Sequence, residues 1–279
     1  MKNVSRKIST PRVAALLLFF TSVLIFLVVM WKTSPYRLLR PYLPQFAARL
    51  VKASEFRYAA DKSHLEIRIP AAQSALQEDF WIDQIPVTLS AYQVCVAQGS
   101  CVPAHYRYYY DKFENNPLYG ILPVSFVSWD EARLFCQSEG GDLPTELQWN
   151  LAAGMQQRNR YPWGNSEPSL DVANFDGFYQ GLTPAGWLPE GASPYGVLDM
   201  GGNIREWVLD PFISETYTDM RPAAEVKQSL LGADASDRVL KGGGSSDYPI
   251  ALEVQTHQWH GKNSPGANRG FRCAYPVIE

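Results

Sequence analysis

The sequence predicts a loop-rich α+β domain preceded by one transmembrane helix, and three observations carry that prediction. Val13 to Trp31 is a run of nineteen residues without a charge, long enough to cross a bilayer as a helix. Helix-start signals are few, and each opens only a short apolar pattern. Beyond Gly154 the chain is rich in Gly, Pro, Asn, Asp and aromatics with no long apolar period. That composition favours long ordered loops held by a few strands over a doubly wound sheet.

The elements follow in order. Lys2, Arg6, Lys7 and Arg12 precede the apolar run, so residues 1–12 read as a basic cytoplasmic N-terminus and 13–31 as the anchor. A cleaved signal peptide needs a shorter apolar core ended by small residues, whereas Val28, Val29, Met30 and Trp31 lead straight into Lys32. Pro35, Pro41 and Pro44 oppose a continuous helix, and residues 32–64 read as a stalk or linker ahead of a domain spanning 65–279. Leu65 to Ile69 alternates like a half-buried strand and stops at Pro70, and Phe80, Trp81 and Ile82 begin a second extended piece. Ser90 with Gln93, Ser128 with Glu131 and Thr145 with Gln148 form capping boxes for three short helices.

Charge and cysteine content narrow the function. No Asp or Glu occurs before Glu55, and nine of the 25 Lys and Arg lie at or before Lys52, leaving 16 basic against 28 acidic residues in the remainder. An acidic globular part of this kind lacks the clustered positive charge that binds phosphate backbones, so no nucleic-acid partner is expected. Cys95, Cys101, Cys136 and Cys273 allow three full pairings, and Cys95 with Cys101 brackets a segment able to close a small loop. An even count behind an anchor points to disulfides in an oxidising compartment. The chain has no GxxxxGK[ST], GxSxG or HExxH signature.

Asp199, Met200, Gly201, Gly202, Asn203, Ile204, Arg205, Glu206 and Trp207 combine two carboxylates with two glycines. The two acids approach one point only if the chain between them curls. Such a curl turns main-chain carbonyls inward, and carboxylates plus carbonyls suit a hard cation such as calcium.

Six motifs in one order resemble the formylglycine-generating-enzyme-like, or sulfatase-modifying-factor, domain. They are FWIDQIPVTLSAYQVC from Phe80, PVSFVSWDEARLFCQSEGGDLPTELQWNLAAG from Pro123, YPWGN from Tyr161, YGVLDMGGNIREWVLD from Tyr195, RVLKGGGS from Arg238 and NRGFRC from Asn268. The resemblance implies a C-type-lectin-like core with little regular structure. It also implies two structural calcium sites. One uses the side chains of Asp199 and Glu206 with the carbonyls of Gly202 and Ile204; the other uses the side chains of Asn174 and Asp176 with the carbonyls of Phe175 and Phe178. A disulfide between Cys136 and Cys273 is implied as well, which leaves Cys95 for Cys101.

One departure bears on chemistry. Family enzymes that generate formylglycine hold copper(I) on two cysteines between the GGS-type motif and the final GFRC, and soft thiolates suit that ion. Between Gly242 and Gly270 this chain has no cysteine, so no copper is expected. Asp247, Tyr248, His257 and His260 are the remaining catalytic candidates, and the two histidines could hold a transition metal with Asp247 or Glu253. Arg205, where the family often has an aromatic, is placed to receive an acidic group or to pair with Asp210, and Trp259 is placed to pack in a groove.

The expectation is thus a single-pass protein of a bacterial inner membrane, its domain in the periplasm, acting as a non-catalytic binding or accessory protein for a protein partner. The resemblance implies secretion-system signalling or assembly of the type VI kind as a context. The alternative is a periplasmic maturation oxidoreductase with altered chemistry, like relatives implicated in siderophore chromophore oxidation.

Overall fold

A computed structural model describes residues 56–58, 65–71, 76, 78–105, 119–212 and 236–277. The segments read as cytoplasmic N-terminus and membrane anchor lie outside the described residues. Among the described residues no helix is long and apolar enough to cross a membrane.

Among the described residues, two four-stranded sheets and three short α-helices hold long loops. The strands are β1 (Phe56–Tyr58), β2 (Leu65–Ile69), β3 (Phe80–Asp83), β4 (Arg205–Pro211), β5 (Asp237–Lys241), β6 (His257–Gly261), β7 (Arg269–Gly270) and β8 (Ala274–Pro276). The first sheet runs β1-β2-β3-β8 and is antiparallel throughout; the second runs β6-β5-β4-β7, with β4 and β7 parallel. Strand β1 lies inside the segment read as stalk, because it pairs with β2 from Phe56↔Ile67 to Tyr58↔Leu65.

Helices α1 (Leu89–Ala97), α2 (Trp129–Ser138) and α3 (Glu146–Ala152) are the three that the capping signals foretell. Ser128 with Glu131 and Thr145 with Gln148 close full capping boxes. The cap of α1 is Thr88 and not Ser90: Thr88 accepts from Ala91 N–H, while Leu89 N–H and Ser90 N–H go to Leu122 and Gly120 carbonyls. A tertiary contact with the 120–122 segment therefore starts this helix two residues early.

One core cluster joins α1 and α2 to the chain end, with Tyr92 stacked on Phe135 at 5.7 Å and Phe271 edge-on to Phe135 at 5.4 Å. A second packs Ile67, Ile69, Phe80 and Ile82 of the first sheet with Trp149, Val208 and Val239. Cys95 is bonded to Cys101 and Cys136 to Cys273, so α2 is tied covalently to the segment before β8. No cysteine remains free.

Candidate functional site

The loop ahead of β4 curls as its glycines and short polar residues allow. Asp199, Gly202 and Asn203 all have left-handed backbones, with φ of 57°, 96° and 66°. A Cβ at Gly202 would stand 2.4 Å from the Asn174 carbonyl oxygen, so only glycine lets the 174 loop approach this closely. Asn203 fastens the contact: its N–H donates to Asn174 O at 2.7 Å, its Oδ1 accepts from Thr183 N–H at 2.9 Å, and its side-chain amide donates to Thr183 O at 3.1 Å.

The two ligand sets implied for calcium differ in fit. At Asn174 the side-chain amide donates to Gly181 O at 2.8 Å and to Asn203 Oδ1 at 3.1 Å, while Oδ1 is buried without any donor. A buried oxygen in that state is what a hard cation satisfies. Asp176 follows with a φ of 52° and an exposed side chain. The Phe175 carbonyl accepts from Phe178 N–H at 3.2 Å. At the second set, Glu206 is fully buried and already paired with an equally buried Arg272 through two 2.7 Å bonds, and it also accepts from Trp149 Nε1–H at 2.8 Å. Asp199 accepts from Gly186 N–H at 2.7 Å, and burial pushes its carboxyl up to about 6. The Gly202 carbonyl accepts from Ile204 N–H at 2.9 Å. With Glu206 neutralised by Arg272, Asp199 alone would offer a divalent ion net charge at this corner.

The candidate catalytic groups do not converge. His257 and His260 lie on strand β6, not on a helix, and alternation sends side chains three apart to opposite faces. His257 Nδ1 faces Glu146 at 3.6 Å, and burial holds its ring below the ordinary histidine range despite that carboxylate. Asp247 grips Arg205 through both oxygens, one bond measuring 2.7 Å, and its Oδ2 accepts from Gly244 N–H at 2.8 Å. Burial alone would raise the Asp247 carboxyl, but those partners hold it below its usual value. Arg205 thus pairs with Asp247 and not with Asp210, whose Oδ2 accepts the Glu146 N–H at 2.7 Å. Tyr248 is 72% exposed, and Trp259 is 52% exposed with its ring stacked on Phe212 at 5.1 Å. Among the described residues no group of three His, Cys, Asp or Glu is placed to hold a metal ion.

A cavity of about 470 Å³ does form, between the start of α1, the 119–126 segment, the 180–182 segment, Ser245 with Ser246, and Ala267 with Asn268. Among the described residues no Asp, Glu, Lys, Arg or His lines it; Leu89, Leu122 and Phe126 supply apolar wall, and Gln180, Ser245, Ser246 and Asn268 supply hydrogen-bonding groups. Phe126 and Gln180 hold φ of 58° and 57°, a strained setting for side chains of that bulk. Trp259 and Arg205, the two expected groove residues, are not among its lining residues; the Arg205–Asp247 pair braces the 244–247 turn behind the wall. Phe126, Ser245 and Asn268 stand inside three of the quoted motifs, whereas nothing in the sequence marks Gln180; the left-handed backbone of Phe126 goes with the distant bond from its N–H to Gly266 O at 3.0 Å.

Residues 45–277 match the family model of the sulfatase-modifying factor enzyme 1-like domain. The chain is 31% identical over 166 residues to hercynine oxygenase of Mycolicibacterium smegmatis, covering 57% of this chain and 38% of that protein. It is 35% identical over 166 residues to the inactive C-alpha-formylglycine-generating enzyme 2 of Mus musculus, covering 55% of this chain and 49% of that protein. The matches thus span about half or less of these relatives' length. The solved structure of PvdO from Pseudomonas aeruginosa superposes with a TM-score of 0.60 at 16% identity, covering 81% of this chain and 99% of that one, a likeness of fold. Both β1 and the family match begin within residues 32–64, so the fold takes in part of the segment read as linker. A match over most of the chain, with the frame of short helices and long loops, makes this protein a member of the sulfatase-modifying factor enzyme 1-like domain family.

Proposed function

We propose that the protein is a non-catalytic binding member of its family, anchored in a bacterial inner membrane with its domain in the periplasm, and that the cavity beside Ser245 and Asn268 receives part of a protein partner. One observation carries this reading: Asp247 and His257 are held in internal pairs, none of Asp247, Tyr248, His257 and His260 lines the cavity, and its described lining offers apolar, hydroxyl and amide groups. Such a lining suits an uncharged, partly apolar group, and among the described residues it offers no general acid or base. All four cysteines are in disulfides, which accords with an oxidising compartment and leaves no thiolate for copper(I). Secretion-system signalling or assembly is one context in which such an accessory protein would serve. Calcium at the Asn174 set would stiffen the loop that runs into the 180–182 wall; the Arg272-held corner would then need no second ion.

Substituting Ser246→Trp in the full chain would fill the cavity mouth. Partners captured from solubilised membranes by the wild type and lost by this variant, with the fold retained, would support the reading. Metal analysis should find about one calcium per chain, and two would refute the argument from Arg272. The relation to hercynine oxygenase keeps an oxidoreductase as the second reading, including maturation of a siderophore chromophore. Stoichiometric iron or copper in the purified chain, lost on His257→Ala or His260→Ala, would favour it.

A further inference from the structure

We infer that Arg269, His260 and Arg205 form a binding site for an oxyanion, a carboxylate or a phosphate, apart from the residues that line the cavity. The parallel pairing of β4 with β7 sets Arg205 directly opposite Arg269, so two guanidinium groups start from neighbouring positions on one sheet. Arg205 is neutralised by the fork of Asp247. Arg269 has no such partner: among the described residues no carboxylate pairs with it. Its Nη1 donates to the Ser264 carbonyl and, at 3.2 Å, to Ser264 Oγ, while its Nε–H is buried without an acceptor. The guanidinium folds back over Gly266, where an added Cβ would stand 3.0 Å from its Cζ, so its position is set by packing and not by an acid.

His260 completes the set. Its Nδ1 accepts from Gly261 N–H at 3.1 Å, which leaves the ring proton of the neutral form on Nε2 as a donor. Burial and the two nearby arginines hold this imidazole below the ordinary histidine range, and Asp237 opposes them only in part. Arg269 is itself held down by burial and by the Arg205 charge. Arg269 is therefore short of a carboxylate partner and of one acceptor. An oxyanion against the guanidinium supplies both, since two oxygens of a carboxylate or phosphate match an arginine edge. None of these three side chains lines the cavity, so the site stands whether or not the cavity binds a partner.

The test follows the arginine Nε–H resonances of the full chain in detergent micelles, titrated with sodium succinate or sodium phosphate against sodium chloride at constant ionic strength. The expected result is a saturable shift of one Nε–H resonance, identified by its loss in Arg269→Gln, with about tenfold weaker binding in that variant. Arg269→Lys keeps the charge, loses the fork and should also weaken binding. Saturation by succinate alone assigns a carboxylate site, and by phosphate alone a phosphate site. A shift that fails to saturate or matches chloride overturns the inference, as does unchanged affinity in a folded Arg269→Gln. Should Arg269→Gln not fold, the wild-type titration and Arg269→Lys still decide. Partner capture that survives Arg269→Gln would leave the proposed function intact while this site failed.

Discussion

Replacing Arg272 with Met should remove a large share of the domain's stability. All five guanidinium protons are engaged: Nε and Nη2 hold Glu206, Nη1 reaches the carbonyls of Asp83 and Gln84, and Nη2 also reaches Leu198 O at 2.7 Å. Both members of the ion pair are fully buried, so the lost cation leaves a carboxylate with no access to water. Breaking a buried pair in this way costs about 3–5 kcal/mol. The Asp83 and Leu198 carbonyls lose a buried donor each, adding roughly 1 kcal/mol apiece. A total near ~5 kcal/mol or above would consume the whole stability of a marginal domain of ordinary stability. Equilibrium unfolding in urea with disulfides intact, followed by the fluorescence of Trp149 and Trp207, would measure it. The double variant Arg272→Met with Glu206→Leu removes both charges and should recover part of the loss. A single-variant loss below about 1 kcal/mol, or no recovery in the double, would refute the claim that Arg272 is the cation of this corner.

Two further outcomes are expected. Burial pushes the Asp210 carboxyl up to about 7, with the nearby Glu146 charge adding to the rise and Lys241 opposing it. A raised acid favours folding fully below its unfolded value near ~4, and that contribution is lost as pH rises through the folded value. Stability should therefore fall by a few kcal/mol, in order of magnitude, between about pH 4 and pH 7 relative to Asp210→Asn; parallel pH profiles for the two proteins would contradict this. Gly202→Ala forces a Cβ to within 2.4 Å of Asn174 O at a φ of 96°, so it should cost about 2 kcal/mol or more and expose the Asn203 and Thr183 amides to hydrogen exchange. Unchanged exchange there would show that the two loops are not coupled.

Local signals were legible and distant pairings were not. Ser128 and Thr145 announce their helices because a capping box lies within one turn, whereas the true start of α1 depends on Leu122, far along the chain. The curl at Asp199 to Asn203 follows from its glycines and short polar residues. The partner of Glu206 does not: Arg272 lies 66 residues away, beside the disulfide-bonded Cys273. The His-x-x-His spacing misleads because its meaning depends on the element. A helix would bring the two rings to one face; strand β6 separates them. Asp247 meets Arg205 across 42 residues, a pairing that no local pattern encodes. The frame of the site was thus readable from sequence, while the charge partners that decide its chemistry are set by sheet topology.

The bond between Cys136 and Cys273 encloses a ring with a sequence separation of 137 residues, and β3 waits for β8 in the same way. Both closures need the segment that carries Cys273 and β8. Synthesis proceeds towards that segment, so helix α2 and the loops that precede Cys273 wait without their covalent clasp until it arrives. Closure therefore follows the synthesis of α2 by more than a hundred residues, and a chain cut short before Cys273 would lack both the clasp and the edge strand together. After closure the order reverses: a single protease nick inside the ring would leave the two pieces joined.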